Sequence, residues 1–256
     1  MWKSQFISVI LPTYNEKDSI AGVIGEFYDT GLVDEVLVIN NNAAPGTSEE
    51  VAKTPAREIH EPLQGYGNAI RRGFREARGD LIIVCEPDAT FFGKDVIKLL
   101  AFSDDFDVVY GTRTSEEFIW TGANMGFFLK WGNYAVAKMM EFLFNTVCLT
   151  DVGCTYRLIK RPVLREIEPH FTVGGSHFGP EMMLITVLKR LKIVQIPVNY
   201  RPRVGESAVT GDLVKAFFLG LKMIGMILTF WLRRFGRRLS GRPEIAEPSV
   251  QPGTRP

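Results

Sequence analysis

The chain has 256 residues, enough for one globular domain with additions, and 46% of them are apolar, enough to bury a sizeable core. With 30 Lys and Arg against 29 Asp and Glu, the net charge is +1, which excludes a general nucleic-acid binder. Three cysteines (Cys85, Cys148 and Cys154), odd in number and irregularly spaced, exclude a disulfide framework or a zinc site and read as reduced thiols.

Ile7–Leu11 (ISVIL) predicts a buried strand closed by Pro12, too short and too quickly ended for a signal peptide. Ser19–Thr30 predicts a helix capped by Asp18 or Ser19. Glu35–Ile39 predicts a strand, Asn40–Gly46 a loop, and Ala56–His60 a further strand ending at His60. Asn68–Ala77 is helical and stops near Gly79. Leu81–Cys85 (LIIVC) and Asp107–Tyr110 are buried strands. This alternation implies right-handed crossovers and a mainly parallel sheet. Ligands of such sheets bind beyond the carboxyl ends of the strands, so the loops after Leu11, Ile39 and Cys85 are expected to line the site.

Lys130–Thr146 follows as an amphipathic helix, with Trp131, Ala135, Met139, Phe142 and Leu143 on its apolar arc. A helix over Pro180–Leu191 and a strand over Ile193–Val198 complete a domain expected over residues 1–210. Leu213–Leu232 is apolar almost all round, interrupted by Lys215 and Lys222. Its charge-free part, Met223–Leu232, is short of the roughly 20 residues a span needs, so a helix lying in the membrane interface is expected over residues 211–240. Arg233, Arg234, Arg237 and Arg238 follow, as suits a cytoplasmic leaflet. Residues 241–256 are Pro-rich and polar, and a disordered tail is expected there.

The stretch Gly79–Asp88 (GDLIIVCEPD) sets Glu86 and Asp88 just past a buried strand. Two carboxylates two apart in extended chain point the same way and suit Mg²⁺ or Mn²⁺, which takes its remaining ligands from water and substrate phosphate. A bare acid-x-acid triplet is weak by itself and is more often a solvated loop. Here it follows ISVILPTYNE at Ile7–Glu16, DEVLVINNNAAPGT at Asp34–Thr47 and GYGNAIRRGFREARGD at Gly65–Asp80.

That order of motifs resembles the family 2 glycosyltransferases of the GT-A fold, over roughly Gln5–Ser207. Within them it is most similar to the dolichol-phosphate mannosyltransferase and related polyprenyl-phosphate group. The resemblance implies an α/β, Rossmann-like domain that uses a UDP- or GDP-sugar donor with Mg²⁺ or Mn²⁺. Pro12, Tyr14 and Glu16 match the loop that holds the nucleoside. Asn40 and Asn41 stand where the family usually has paired aspartates, and an amide offers no charged acceptor to the base or ribose. Gly65 and Gly67 match the glycine turn near the donor, where backbone must approach closely. Asp88 is the expected metal ligand with Glu86 second, since Asp is usual at the first position.

On the acceptor side, DVVYGTR (Asp107–Arg113), DVGCTYR (Asp151–Arg157) and YRPRVGES (Tyr200–Ser207) resemble family segments. Asp151 and Arg157 enter as catalytic candidates, and Arg113 as a donor contact. Arg201, Arg203 and Ser207, with nearby His177, are candidates for the acceptor phosphate, because guanidinium forks bind phosphate bidentately. Glu181 stands where the family has an acidic residue before a helix. It is a candidate general base if the acceptor is a hydroxyl, and an orienting group if the acceptor is an already ionised phosphate. The expected activity is an inverting transfer to a polyprenyl phosphate at the cytoplasmic membrane face. A saccharide acceptor, or a non-catalytic nucleotide-sugar-binding scaffold, is the alternative.

Overall fold

The computed structural model describes residues 2–123, 126–205 and 213–239. Its elements in chain order are β1 (Ile7–Thr13), α1 (Lys17–Tyr28), β2 (Glu35–Asn40), α2 (Thr47–Val51), β3 (Arg57–His60), α3 (Tyr66–Glu76), β4 (Leu81–Val84) and α4 (Val96–Phe102). After these come β5 (Val108–Thr112), α5 (Phe127–Phe144), β6 (Arg157–Lys160), α6 (Arg161–Ile167), α7 (Phe178–Leu188), β7 (Ile193–Pro197) and α8 (Leu213–Leu239). The seven strands form one sheet in the order β3-β2-β1-β4-β6-β5-β7. All pairings are parallel except those of β6, which runs antiparallel to both β4 and β5.

Strand alternation divides the core in two. Ile10, Ile82 and Val84 face a cluster built with α3, α5, α6, α7 and α8. Ile7, Val9, Leu11, Leu81 and Ile83 face the opposite cluster, with α1 and α4. Helices therefore cover both faces, which is why the strands read as unbroken apolar runs.

Several expectations shift. Strand β1 runs through Pro12 to Thr13 rather than stopping at the proline. Ile10 accepts from Cys85 N on the β4 side, so Pro12, two residues on, turns its missing N–H to that side, beyond the end of β4. Helix α1 starts earlier, at Lys17, with Glu16 at its N-cap and no side-chain cap. The Ser19 hydroxyl instead donates to Pro87 O at 2.7 Å, tying α1 to the acidic loop. Strand β6 and helices α2, α4 and α6 had no clear periodic signal, because each is only four to seven residues long. Among the described side chains of α5, Val136, Ala137, Met140 and Phe144 are buried, whereas Trp131 and Phe142 stay exposed. The expected apolar arc is rotated, because α5 packs between α7 and α8 rather than on the sheet alone.

Helix α8 is longer than the apolar run, and Val214–Arg237 is long and apolar enough to cross a membrane. Met223 and Ile227 are buried against the domain, while Phe217, Phe218, Leu221, Leu228, Leu232 and Phe235 are exposed.

Candidate active site

The carboxyl ends of β1, β2, β4 and β5 open into one cavity of about 1000 Å³. Pro12 and Thr13 line it at the end of β1 and Tyr14 and Glu16 just after, Asn41 after β2, Glu86, Pro87 and Asp88 after β4, and Arg113 after β5. This is the crevice beyond the strand ends where open α/β sheets bind ligands. The far wall is apolar and belongs to α5 and α8, with Ala135, Val136, Phe217, Leu219, Met223 and Ile224.

Asp88 is buried, and its Oδ1 accepts from the Thr90 backbone N–H at 3.0 Å and from the Thr90 hydroxyl at 2.6 Å. Its Oδ2 meets Arg203 at 2.9 Å. Glu86 keeps part of its surface open to the cavity. Burial, then the neighbouring Asp88 charge, pushes its carboxyl up to about 8, against the pull of Arg203 and Arg113. A divalent cation would relieve that repulsion. Among the described residues no third His, Cys, Asp or Glu joins this pair, so an ion held by Asp88 and Glu86 would complete its shell with water and substrate phosphate oxygens.

Glu16 closes its own loop: its Oε2 accepts from the N–H groups of Tyr14 at 2.7 Å and Asn15 at 2.9 Å. Its Oε1 meets Arg203 at 3.0 Å. Arg203 thus bridges the loops after β1 and β4 from the segment after β7. Tyr14 is 44% exposed, so its ring is open to a ligand.

Arg113 is clamped by Asp151, with Nε on Oδ2 at 2.8 Å, Nη2 on Oδ1 at 3.0 Å and its backbone N–H on Oδ2 at 3.0 Å. Burial raises the Asp151 pKa, but the Arg113 charge and these bonds outweigh it and leave it below the usual value. Gln195 steadies the clamp. Its Oε1 accepts from Thr150 N at 2.6 Å and Asp151 N at 3.3 Å, and its Nε2 donates to Asp151 O. The sequence carried no sign of this role for Gln195, which sits inside a plain strand.

Asn41 is saturated. Its Nδ2 donates to Glu61 O and Leu63 O, and its Oδ1 accepts from Gly65 N and Gln64 Nε2. It clamps the loop at residues 61–65 beside the cavity. Asn40 is turned away from the cavity, towards Ser48 and Glu58. Gly65, at φ 141°, and Gly67 pack against the backbone at residues 173–174, where an added Cβ would come within 2.3 Å of Gly174 O or 2.5 Å of Val173 O. Their tightness thus serves contact with that loop, while their backbone edge still meets the cavity at Gly65.

Glu181 lies off the cavity. It is fully buried and accepts from Thr172 N at 2.9 Å, Val173 N at 3.0 Å and the Thr172 hydroxyl. It anchors the loop that Gly65 and Gly67 touch, and it is not among the residues that line the cavity. Arg201 also lies outside, spent on Glu26 at 2.6 Å, on the carbonyls of Ala89 and Phe91, and on the Phe92 ring at 4.2 Å. His177, expected at a phosphate, sits at the α7 N-cap outside the lining, and burial lowers its pKa. Ser207 lies outside the described residues. Arg157 does line the cavity, together with Tyr66, Thr155 and Tyr200, which lie inside the quoted motifs but were given no role, and with Ser176.

A family model described as glycosyl transferase family 2 matches residues 8–167. The chain therefore belongs to the family 2 glycosyltransferases, and its fold is of the GT-A type. A dolichyl-phosphate hexose transferase of Haloferax volcanii is 27% identical over 205 residues, covering 78% of this chain and 85% of the relative. A low-salt glycan biosynthesis hexosyltransferase of the same organism is 29% identical over 207 residues, but this chain spans only about half (49%) of its length. Among solved structures, glucosyl-3-phosphoglycerate synthase from Mycobacterium tuberculosis with Mg²⁺ and UDP superimposes with a TM-score of 0.69 at 18% identity. The match covers 88% of this chain and 79% of that one, and bears on the fold.

Proposed function

We propose that this protein transfers a hexose from a nucleotide-sugar donor to a polyprenyl phosphate at the cytoplasmic face of a membrane, with inversion at the anomeric carbon. The observation that carries the reading is the continuity of the cavity, from the Glu86–Asp88 carboxylates at one end to the apolar wall of α5 and α8 at the other. A phosphate headgroup with a hydrocarbon tail matches both ends. The exposed apolar side of α8, followed by Arg233, Arg234 and Arg237, supports placement on an anionic bilayer surface. The dolichyl-phosphate relative supports the same acceptor class.

In this mechanism Tyr14, Thr13 and the Asn41-clamped loop hold the nucleoside. Asp88 and Glu86 would hold Mg²⁺ or Mn²⁺, whose charge would offset that of the departing diphosphate. Arg113, locked by Asp151, and Arg203 face the same anion. An oxygen of the acceptor phosphate attacks the anomeric carbon from the opposite side. The new carbon–oxygen bond forms as the bond to the diphosphate breaks, and the nucleoside diphosphate leaves. A phosphate is already an anion near neutral pH, so no general base is required. The enclosure of Glu181 weighs against a hydroxyl acceptor activated by that residue.

A panel of UDP- and GDP-hexoses with Mg²⁺ or Mn²⁺, with and without a short polyprenyl phosphate, tests this by mass spectrometry of the lipid. Glycosylated lipid phosphate is expected. Transfer to a saccharide hydroxyl with none to the lipid would sink the acceptor assignment.

A further inference from the structure

Arg157 is the anomaly of the cavity. It is only 3% exposed, yet no carboxylate lies within ion-pair range of it among the described residues. Arg113, Arg201 and Arg203 each have one. The Arg157 guanidinium instead donates to Gly179 O at 3.0 Å and to Cys154 O, and lies over the Tyr110 ring at 5.4 Å. Its Nε has no partner. A buried, uncompensated cation is costly unless an anion joins it.

The surroundings repeat the deficit. The Thr155 hydroxyl, two residues before Arg157 on the approach to β6, lines the cavity and is enclosed there with no well-formed hydrogen bond, the Tyr66 hydroxyl being its one close polar neighbour. Ser176 lines it too, just ahead of the N-terminus of the 11-residue helix α7. The first turn of α7 adds little to this, since it holds the Glu181 carboxylate and Pro180, and its Phe178 N–H is given to Gly175 O. The fit around the guanidinium is close, since a Cβ on Gly179 would come within 2.8 Å of Arg157 Nη2. Sugar hydroxyls could satisfy Thr155 and Ser176, but would leave the charge of Arg157 unmatched. Val136, Val152, Met223 and Ile224 belong to the same cavity, so an anion here has apolar surface for a chain attached to it.

We infer that Thr155, Arg157 and Ser176 form a phosphate subsite of their own, distinct from the Arg113 and Arg203 side of the cavity, and that it receives the phosphate of the acceptor. This rests on the lipid-phosphate reading above for the identity of the ligand, but not for the existence of the subsite.

The test uses the full chain with Mg²⁺ and whichever of UDP or GDP it binds, so that the donor phosphate positions are filled. Inorganic phosphate and a short polyprenyl monophosphate are then titrated by calorimetry into wild type, Thr155→Val and Arg157→Lys. Thr155→Val removes a hydroxyl whose one close polar neighbour is the Tyr66 hydroxyl, so its melting temperature is expected to stay close to wild type. Both phosphates should nevertheless bind about tenfold more weakly, the worth of a lost hydrogen bond to a charged group. Arg157→Lys should weaken them at least as much. A merely structural role predicts no change in phosphate affinity, and affinities within twofold of wild type in both variants overturn the subsite even if the lipid is glycosylated. A loss confined to donor-sugar affinity overturns it as well, assigning the charge to the sugar. If wild type binds phosphate in this residue-dependent way but never glycosylates the lipid, the subsite stands and the acceptor reading fails. If wild type binds neither phosphate, the subsite fails.

Discussion

The Arg203 guanidinium meets the Asp88 carboxylate at 2.9 Å with one terminal nitrogen and Glu16 at 3.0 Å with the other. The loop after β7 is thereby latched to the loops after β1 and β4 by charge, so a change at Asp88 alters both the proposed metal site and the placement of Arg203. Asp88→Asn is expected to reduce hexose transfer by at least about 100-fold, the scale of losing a principal electrostatic contact in the transition state. Residual turnover should no longer respond to added Mn²⁺. A metal titration of transfer rate in both proteins checks this, and full turnover of the variant in chelator would refute it.

Glu86 sets a pH dependence. Its carboxyl is raised from 4.5 to about 8 by burial and by Asp88. The neutral form is therefore favoured in the folded protein without metal. Its contribution to stability is complete below about 4.5 and is lost as pH rises through about 8. Metal binding needs the ionised form, so Mn²⁺ affinity is expected to climb between pH 6.5 and 8, by up to about tenfold per unit, and then level off. Glu86→Gln should flatten both trends. Calorimetric Mn²⁺ titrations and melting curves across that range decide the matter.

The Asp151–Arg113 clamp is buried on its acidic side, at 0% exposure for Asp151 and 12% for Arg113. Removing one partner leaves the other uncompensated, so Asp151→Ala is expected to cost about 3–5 kcal/mol of stability. Because the Asp151 pKa is depressed in the fold, the clamp stabilises above the ordinary carboxylate pKa and is lost as pH falls through the depressed value. Gln195→Leu should show a smaller loss of stability together with a raised KM for the donor. Chemical denaturation and donor kinetics on the two variants test this, and an unchanged midpoint for Asp151→Ala would contradict it.

Glu181 separates a base from an anchor. Glu181→Gln keeps the shape and one acceptor oxygen, and is expected to retain most of the transfer rate at saturating substrates. Glu181→Ala releases the loop at Thr172 and Val173 and should lose roughly 2–4 kcal/mol of stability. A thousandfold fall in rate for a stably folded Glu181→Gln would reinstate it as a base.

Helix α8 predicts where the protein resides. Phe218, Leu221 and Leu228 are exposed apolar residues on a helix whose Met223 and Ile227 are buried in the domain. Replacing the three exposed residues by Ser is expected to shift the protein from vesicles containing anionic lipid to the supernatant, with donor binding intact. Cosedimentation that is the same for wild type and variant would exclude α8 as the anchor.

Much of the scaffold was legible in the chain. Ile7–Leu11, Glu35–Ile39 and Leu81–Cys85 read as buried strands because both faces of the sheet are covered, and the acidic triplet was marked by its place after one of them. The short β6 was not legible, since four residues carry no period. Nor was the saturation of Asn41, whose four hydrogen bonds lead to residues 61–65.

Local sequence determined the strand order of events along the chain, the family motifs and the position of Glu86 and Asp88 past a strand end, because these depend on near neighbours and apolar periodicity. Only the tertiary structure decided what each charged group does. The arginines at 113, 157, 201 and 203 look alike in the sequence, but a guanidinium is neutralised by whatever lies within a few ångströms, and those partners come from distant segments. Three of the four found carboxylates, and one was left facing the cavity with none among the described residues.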